Sequence, residues 1–483
     1  MKLIKHSFYN LLGLGFPLIL AVFCIPILIR ELGSANFGLL TLIWAVVSYF
    51  GLFDLGLGRA LTQLLAVSIA KHDDTSAGTI FKTAITIMAG LGVVAGILMA
   101  VSASWGIGLI KSIPEPQEAL NAAYFLSIAM PAIILTSGYR GILEAHHSFG
   151  IINAIRLPMG IYTFICPTII VLTGITRLDV IAAALAIGRI LACVVHAWYA
   201  NQTLPQSLSK YHFDKRQLKP LCISGGWMTL SNIISPLMGY VDRFIIGGII
   251  SATAVAYYTT PQEIVTKLWI VPGALTSVLF PAFSAHVVSG FKETYKLFIK
   301  SICWIYLILL PITAVLTIFS YEILSAWIKK DFAIHSFHFL QIFSIGILIN
   351  SLAHTPMTLI QAMGKPRITG LLHLIEFPFF IFLIWWLTVT HGPMGAALAW
   401  LIRILFDTTA LYLICLYLNK WNLKLIFSYK SIIFTIATLL VYSAALIDSI
   451  MIRLLFLFVS FVISATLAIK LSPKNIRYLN KHE

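Results

Sequence analysis

The chain has 483 residues, 59% hydrophobic and 11% charged, with a formal net charge of +15 and a mean hydropathy of +0.93. So few charges cannot cover a soluble protein of this length, so lipid must be its solvent. Lipid demands that backbone polar groups pair internally, and apolar runs of about 20 residues suit helices across roughly 30 Å of hydrocarbon, whereas barrel strands would alternate over about ten.

The hydropathy pattern predicts an all-α polytopic membrane protein of about 14 spans. They lie near 8–29, 37–66, 80–105, 119–143, 151–174, 178–201, 221–248, 260–286, 298–320, 336–362, 368–390, 394–417, 429–447 and 452–471. The first run has a basic flank but continues to Leu28-Ile29 without a small-residue cleavage pattern, which reads as a retained helix. Lysines and arginines number 22 on the side of the N-terminus and 6 on the other, with the remaining five inside spans. The positive-inside rule then puts both termini in the cytoplasm, and the orientation accounts for most of the basic charge without nucleic acid.

The spans group into an N-lobe over 1–203 (spans one to six), a basic linker over 204–220, and a C-lobe over 221–418 (spans seven to twelve). Spans thirteen and fourteen and a basic tail follow over 419–483, as an addition to a twelve-span core. No loop is long enough for a fused ATPase or transferase domain.

The lobes match each other. Ser34-Ala35 and Ala145 correspond to Ser251-Ala252 and Ala362 at an offset of 217. Ala183-Ala184-Leu185-Ala186 corresponds to Ala396-Ala397-Leu398-Ala399 at 213, and Arg189-Ile190-Leu191 to Arg403-Ile404-Leu405 at 214. Six spans per half make this a parallel pseudo-two-fold repeat about an axis along the membrane normal, an arrangement suited to one lobe rocking against the other.

Several motifs then resemble those of one family. Arg30-Glu31-Leu32-Gly33-Ser34-Ala35-Asn36-Phe37-Gly38-Leu39, Phe53-Asp54-Leu55-Gly56-Leu57-Gly58-Arg59-Ala60 and Tyr240-Val241-Asp242-Arg243-Phe244-Ile245-Ile246-Gly247 are similar to stretches of bacterial polysaccharide exporters of the Wzx type. So is Ala254-Val255-Ala256-Tyr257-Tyr258. The resemblance implies the superfamily that also holds MurJ lipid II flippases and MATE antiporters, with two six-helix bundles around a cationic cavity. It implies a bacterial inner-membrane flippase that turns undecaprenyl-diphosphate-linked oligosaccharide repeat units from the cytoplasmic to the periplasmic leaflet for O-antigen or capsule. The partners on this reading are the lipid-linked oligosaccharide and membrane lipid, with a polysaccharide polymerase and a chain-length regulator as candidates, and the chain acts as a monomer.

Charges inside spans carry the site hypotheses, because each costs several kcal/mol at the bilayer centre. Arg189 has only Ala186, Leu185, Ala192 and Cys193 at helical spacing, so it faces a cavity or an acid on another helix. Arg189 and its repeat-mate Arg403 are assigned to a central cavity, where a guanidinium fork suits a diphosphate. Arg59 and Lys267 are further cavity candidates. Glu263 with Lys267 and Arg403 with Asp407 stand at i,i+4, spaced equally well for a local salt bridge. Asp54, Asp242, Arg243, Glu263, Glu376 and Asp407 are assigned to coupling or gating. Glu376, with only His373 nearby and Pro378 just beyond, suits a coupling H⁺ or Na⁺, or a bond to a neighbouring helix.

No resident cofactor, catalytic residue or metal is expected. The cysteines, Cys24, Cys166, Cys193, Cys222, Cys303 and Cys415, sit in or beside apolar runs without a C-x-x-C pair and read as buried thiols. Asp73-Asp74 and Glu144, His146 and His147 read as solvated loop groups, and neither a P-loop nor a G-x-S-x-G motif occurs. Two other functions remain. A MATE-like cation-coupled drug or metabolite antiporter would want acidic cavity residues. A polymerase or ligase would want a large external loop, and the connections near 106–118 and 321–335 are short.

Overall fold

The computed structural model describes residues 2–50, 57–70, 73–146, 148–203, 211–217, 237–289, 291–421, 438–439 and 442–470. They are helical almost throughout, without a strand among them, and eight of the helices are long and apolar enough to cross a membrane. The chain divides into two compact units, Met1–Ala256 and Tyr257–Glu483.

In the first unit, α1 (Lys2–Phe50) runs through expected span one and into expected span two, turning at Gly33 with φ 75° and ψ 162°. That backbone is open to glycine and strained for other residues. Helix α2 (Leu57–Ala70) follows. Helix α3 (Asp74–Leu109) is capped by Asp73, whose carboxylate accepts from the Ser76 amide at 2.9 Å. Asp73 is therefore a helix cap rather than a plain loop residue.

Helix α4 (Pro116–Ala145) lies against α3. Gly92 and Gly96 form the contact surface on α3: a Cβ at Gly92 would come within 2.5 Å of Pro131 Cα, and one at Gly96 within 2.6 Å of Ser127 O. In lipid, apolar burial does not drive helices together, so such close approach supplies the packing energy instead. The opposite face of α3 presents exposed Val94, Ile97, Leu98 and Val101, as a lipid-facing surface does. Phe81, Leu61, Leu65, Met88, Ile134 and Ile142 are fully buried between α2, α3 and α4.

Helices α5 (Phe149–Leu172) and α6 (Leu178–Thr203) complete the bundle, with α6 packed on α4 and α5. At the start of α6 the Leu178 amide donates to Glu118 Oε2 at 2.9 Å, and Arg177 pairs with Asp179 at 2.8 Å. Helix α7 (Val241–Ile249) is held to the end of α3 by Lys111, whose amide donates to Gly247 O at 3.0 Å and whose ammonium donates to Ile249 O at 2.9 Å.

Helix α8 (Ala252–Thr266) runs from the end of the first unit into the second, continues through one 3₁₀ turn (Lys267–Trp269), and becomes α9 (Ile270–Ser289). It begins at Ala252 rather than near 260. The polar run Thr259-Thr260-Pro261-Gln262 lowers the local hydropathy, yet Thr259, Thr260 and Gln262 are buried.

Helices α10 (Phe291–Ile318), α11 (Ser320–Trp327), α12 (Lys330–Ala362) and α13 (Pro366–Asn419) follow. Helix α13 is a hairpin of the two expected spans, turning at Gly392 with φ 61° and ψ −150°. Tyr258, Phe343 and Trp400 interlock edge to face at the core, at centroid distances of 5.0 and 5.1 Å.

The last helix, α14 (Ile450–Lys470), packs on α10. Thr313 hydroxyl meets Tyr442 hydroxyl at 2.8 Å, Tyr306 bonds Thr438, and Arg453 Nη1 donates to Glu322 Oε1 on α11 at 2.7 Å. Most of expected span thirteen lies outside the described residues, as do the whole first half of span seven and Cys222.

Candidate functional site

Helical periodicity orients the acids of the second unit. Along the first arm of α13, Leu371, Ile375, Phe379, Phe382 and Trp386 are exposed, while Glu376, Phe380, Leu383, Ile384 and Leu387 are buried. Along the second arm, Ile402, Leu405, Phe406 and Leu413 are exposed, and Trp400, Ile404, Asp407 and Leu411 are buried. Both carboxylates therefore point into the unit and away from lipid.

There they meet. One ligand atom from each of His373, Glu376 and Asp407 lies within 4.8 Å of the others, a grouping unique among the described residues. His373 Nε2 stands 3.6 Å from Asp407 Oδ1. Glu376 is 1% exposed, and neither of its carboxylate oxygens has a hydrogen-bond partner among the described residues. His354 on α12 lies within electrostatic reach of Asp407, and Arg403 and Asp407 both act on Glu376. The Arg403 guanidinium sits 5.2 Å over the Phe380 ring.

With Arg403 counted, two carboxylates and one guanidinium leave about one net negative charge. That balance suits a single monovalent cation or proton, while a divalent ion would overshoot it. The ligand set is also short for a hard metal ion, which takes about six or more oxygens.

Arg189 belongs to the first unit, two-fifths of the way along α6 and half-buried. It makes no ion pair and no charged group acts on it among the described residues. Its setting is built by Gly188, where any side chain would collide with the Tyr162 ring, and Tyr162 in turn donates to Ala184 O at 2.8 Å. The tyrosine ring thus packs on α6 at Gly188, the residue before the arginine.

The other predicted residues are distributed differently. Lys267 and Glu263 form their i,i+4 salt bridge at 2.7 Å, with side chains 41% and 31% exposed. The pair stands near the middle of the continuous Ala252–Ser289 rod, where an exposed charge belongs in a water-filled space rather than in lipid. Next to it, the Trp269 indole N–H donates to Asn350 Oδ1 at 2.9 Å, and Trp269 is 37% exposed. Asp242 and Arg243 are both buried in α7, and Arg243 lies 5.1 Å over the Tyr240 ring. Asp54 lies outside the described residues, and for Arg59 only the helical backbone of α2 is described.

Trp44 packs edge-on against Phe37 and Phe164, and Tyr306 is buried in the α10 core. Glu144 pairs with Arg140 at 3.2 Å rather than standing free in a loop, His146 Nδ1 bonds Ile142 O, and His147 lies outside the described residues. Sequence spacing missed the meeting of His373 with Asp407, because it depends on how the α13 arms rotate against each other.

Residues 3–287 match the family model described as "Polysaccharide biosynthesis protein". The chain is 33% identical over 412 residues to a Shigella flexneri protein named "Putative O-antigen transporter", covering 85% of this chain and 97% of the relative. Its fold is similar to an inward-facing multidrug resistance MATE family transporter of the MOP superfamily, with a TM-score of 0.74 at 14% identity over 86% of this chain and 94% of that one. The outward-facing form matches with a TM-score of 0.62 at 15% identity over 86% and 95%. A MOP superfamily transporter from Pyrococcus furiosus matches at 0.61 and 14% identity over 86% and 94%.

Proposed function

The chain belongs to the polysaccharide biosynthesis protein family of multi-pass membrane proteins, and we propose that it flips undecaprenyl-diphosphate-linked oligosaccharide repeat units from the cytoplasmic to the periplasmic leaflet of a bacterial inner membrane. The product would feed O-antigen or capsule assembly. The observation that carries this reading is Arg189, a guanidinium within a spanning helix with no protein counter-charge among the described residues. Such a group is costly in lipid unless an anion visits it, and a diphosphate supplies oxygens for both prongs of the guanidinium fork. The name of the Shigella flexneri relative agrees with that cargo.

The energy source in this proposal is a proton taken up at His373, Glu376 and Asp407. Sodium is the weaker choice because one of the three ligand atoms is an imidazole nitrogen, and hard cations prefer oxygen. The Lys267–Glu263 pair and Trp269 supply a wetted wall for the sugar, the indole offering a flat apolar face and the ion pair offering hydrogen bonds. Both termini lie in the cytoplasm on this scheme, from the 22 to 6 distribution of basic residues.

The test is a deletion strain. Surface glycan should stop while lipid-linked repeat units build up in the inner leaflet. Normal appearance of those units on the outer leaflet would overturn the proposal.

A further inference from the structure

The first unit holds a second basic cluster, separate from Arg189. Arg140 lies in the last two turns of α4 and spends its charge on Glu144 at 3.2 Å, with side chains 41% and 33% exposed. Arg156 is the eighth residue of α5, inside the helix, and half-buried. No carboxylate lies within 4.0 Å of it among the described residues; Arg140 and Glu144 act on it from farther away. His196 on α6 is 6% exposed, and its Nδ1–H donates to Ala192 O at 2.8 Å. Arg140 and Arg156 both act on the His196 ring.

Two guanidinium groups from packed helices α4 and α5 thus share one carboxylate that is already engaged, and the buried His196 ring lies within electrostatic reach of both. Arg140 and Arg156 repel each other, and Glu144 offsets only part of that cost. A phosphate oxyanion between them removes it, because it accepts from both guanidinium groups at once. The cluster has an open face through the exposed parts of Arg140 and Glu144. His196 and Arg189 are seven residues apart on α6, which places them on one face about 10 Å from each other along the axis.

We propose that Arg140 and Arg156, beside the buried His196, form a capture site for a phosphate oxyanion, from which a lipid-linked diphosphate passes one step deeper to Arg189. This rests on the flippase reading, and it adds a first station at the end of the unit where α4, α5 and α6 meet. The same chemistry would fit the phosphate of an ordinary anionic phospholipid, so the experiment must separate the two sources.

The full-length protein is placed in nanodiscs of neutral phosphatidylcholine, and binding of farnesyl diphosphate is measured for wild type, Arg156→Ala, Arg156→Lys and Arg140→Ala. The expected result is at least a tenfold loss of affinity for Arg156→Ala, a smaller loss for Arg156→Lys, and a loss for Arg140→Ala, with melting temperatures near that of wild type. Arg140→Ala removes a partly exposed side chain and keeps the test open if Arg156→Ala folds poorly. Unchanged farnesyl diphosphate affinity in both alanine variants overturns the capture site. So does a loss confined to nanodiscs doped with phosphatidylglycerol, which would make the cluster a phospholipid contact. Surface glycan export is followed in the same variants. Export lost in Arg189→Ala but intact in Arg156→Ala and Arg140→Ala refutes this inference while leaving the flippase reading in place, whereas failure of the deletion-strain test refutes both.

Discussion

His373 Nε2 stands 3.6 Å from Asp407 Oδ1, joining the two arms of α13 across a turn made at Gly392. Beside them Glu376 keeps a carboxyl group buried with neither oxygen bonded among the described residues. Stability alone would not select that arrangement, since an unsatisfied buried polar group costs about 1–3 kcal/mol. Function and stability should therefore separate at this position.

Glu376→Leu is expected to raise the thermal stability of the purified protein, or leave it unchanged, while reducing glycan export at least tenfold. Glu376→Gln should also reduce export. Thermal unfolding in detergent and a surface-glycan assay measure the two effects, and a Leu variant that exports normally would remove Glu376 from the coupling group.

Arg189→Ala should lower export at least tenfold, and Arg189→Lys should restore part of it, because an ammonium keeps the charge but loses the planar fork. Both variants should melt close to wild type, since Arg189 has no protein ion pair to lose among the described residues. Equal export by alanine and wild type would place the anion elsewhere.

Gly92→Val should destabilise the first unit by about 1–3 kcal/mol or more, the usual cost of overpacking, because the new side chain has Pro131 Cα in its way. Gly90→Val is the control: a Cβ there meets nothing within 4 Å. If the two variants unfold at the same temperature, the α3–α4 seam is not packed as described.

Trp269→Ala should weaken export of the native repeat unit severalfold, and Asn350→Leu should do so less, by releasing the indole from its 2.9 Å hydrogen bond. Substrates with a shortened glycan should show a smaller penalty for Trp269→Ala than the full unit does. An equal penalty for both would mean that the ring does not touch sugar.

How far the sequence reaches is visible in particular elements. Helices α4, α5 and α6 begin and end within three residues of the apolar runs that predict them, because uniform hydropathy and clear polar boundaries leave little choice. Helix α8 starts earlier than hydropathy suggests, since its buried threonines and Gln262 look like a boundary and are core. The lack of a local partner for Arg189 is legible from residue spacing, and the structure keeps it so. The partner of Asp407 is less legible: i,i+4 spacing points to Arg403, while the hairpin turn brings in His373. Arg156 counts with the cytoplasmic charges although the span predicted over 151–174 contains it, and the structure places it two turns into α5, which starts at Phe149.

The bonds between the last helix and the rest of its unit bear on how this protein is handled at the bench. Reporter enzymes are commonly fused to shortened membrane proteins to ask which side a given loop faces. Any fusion that stops soon after Asn419 discards Thr438, Tyr442 and Arg453, and so removes one bonding partner each from Tyr306, Thr313 and Glu322. Such a fusion would report on a damaged bundle. Sidedness is better read from single cysteines introduced into the intact chain.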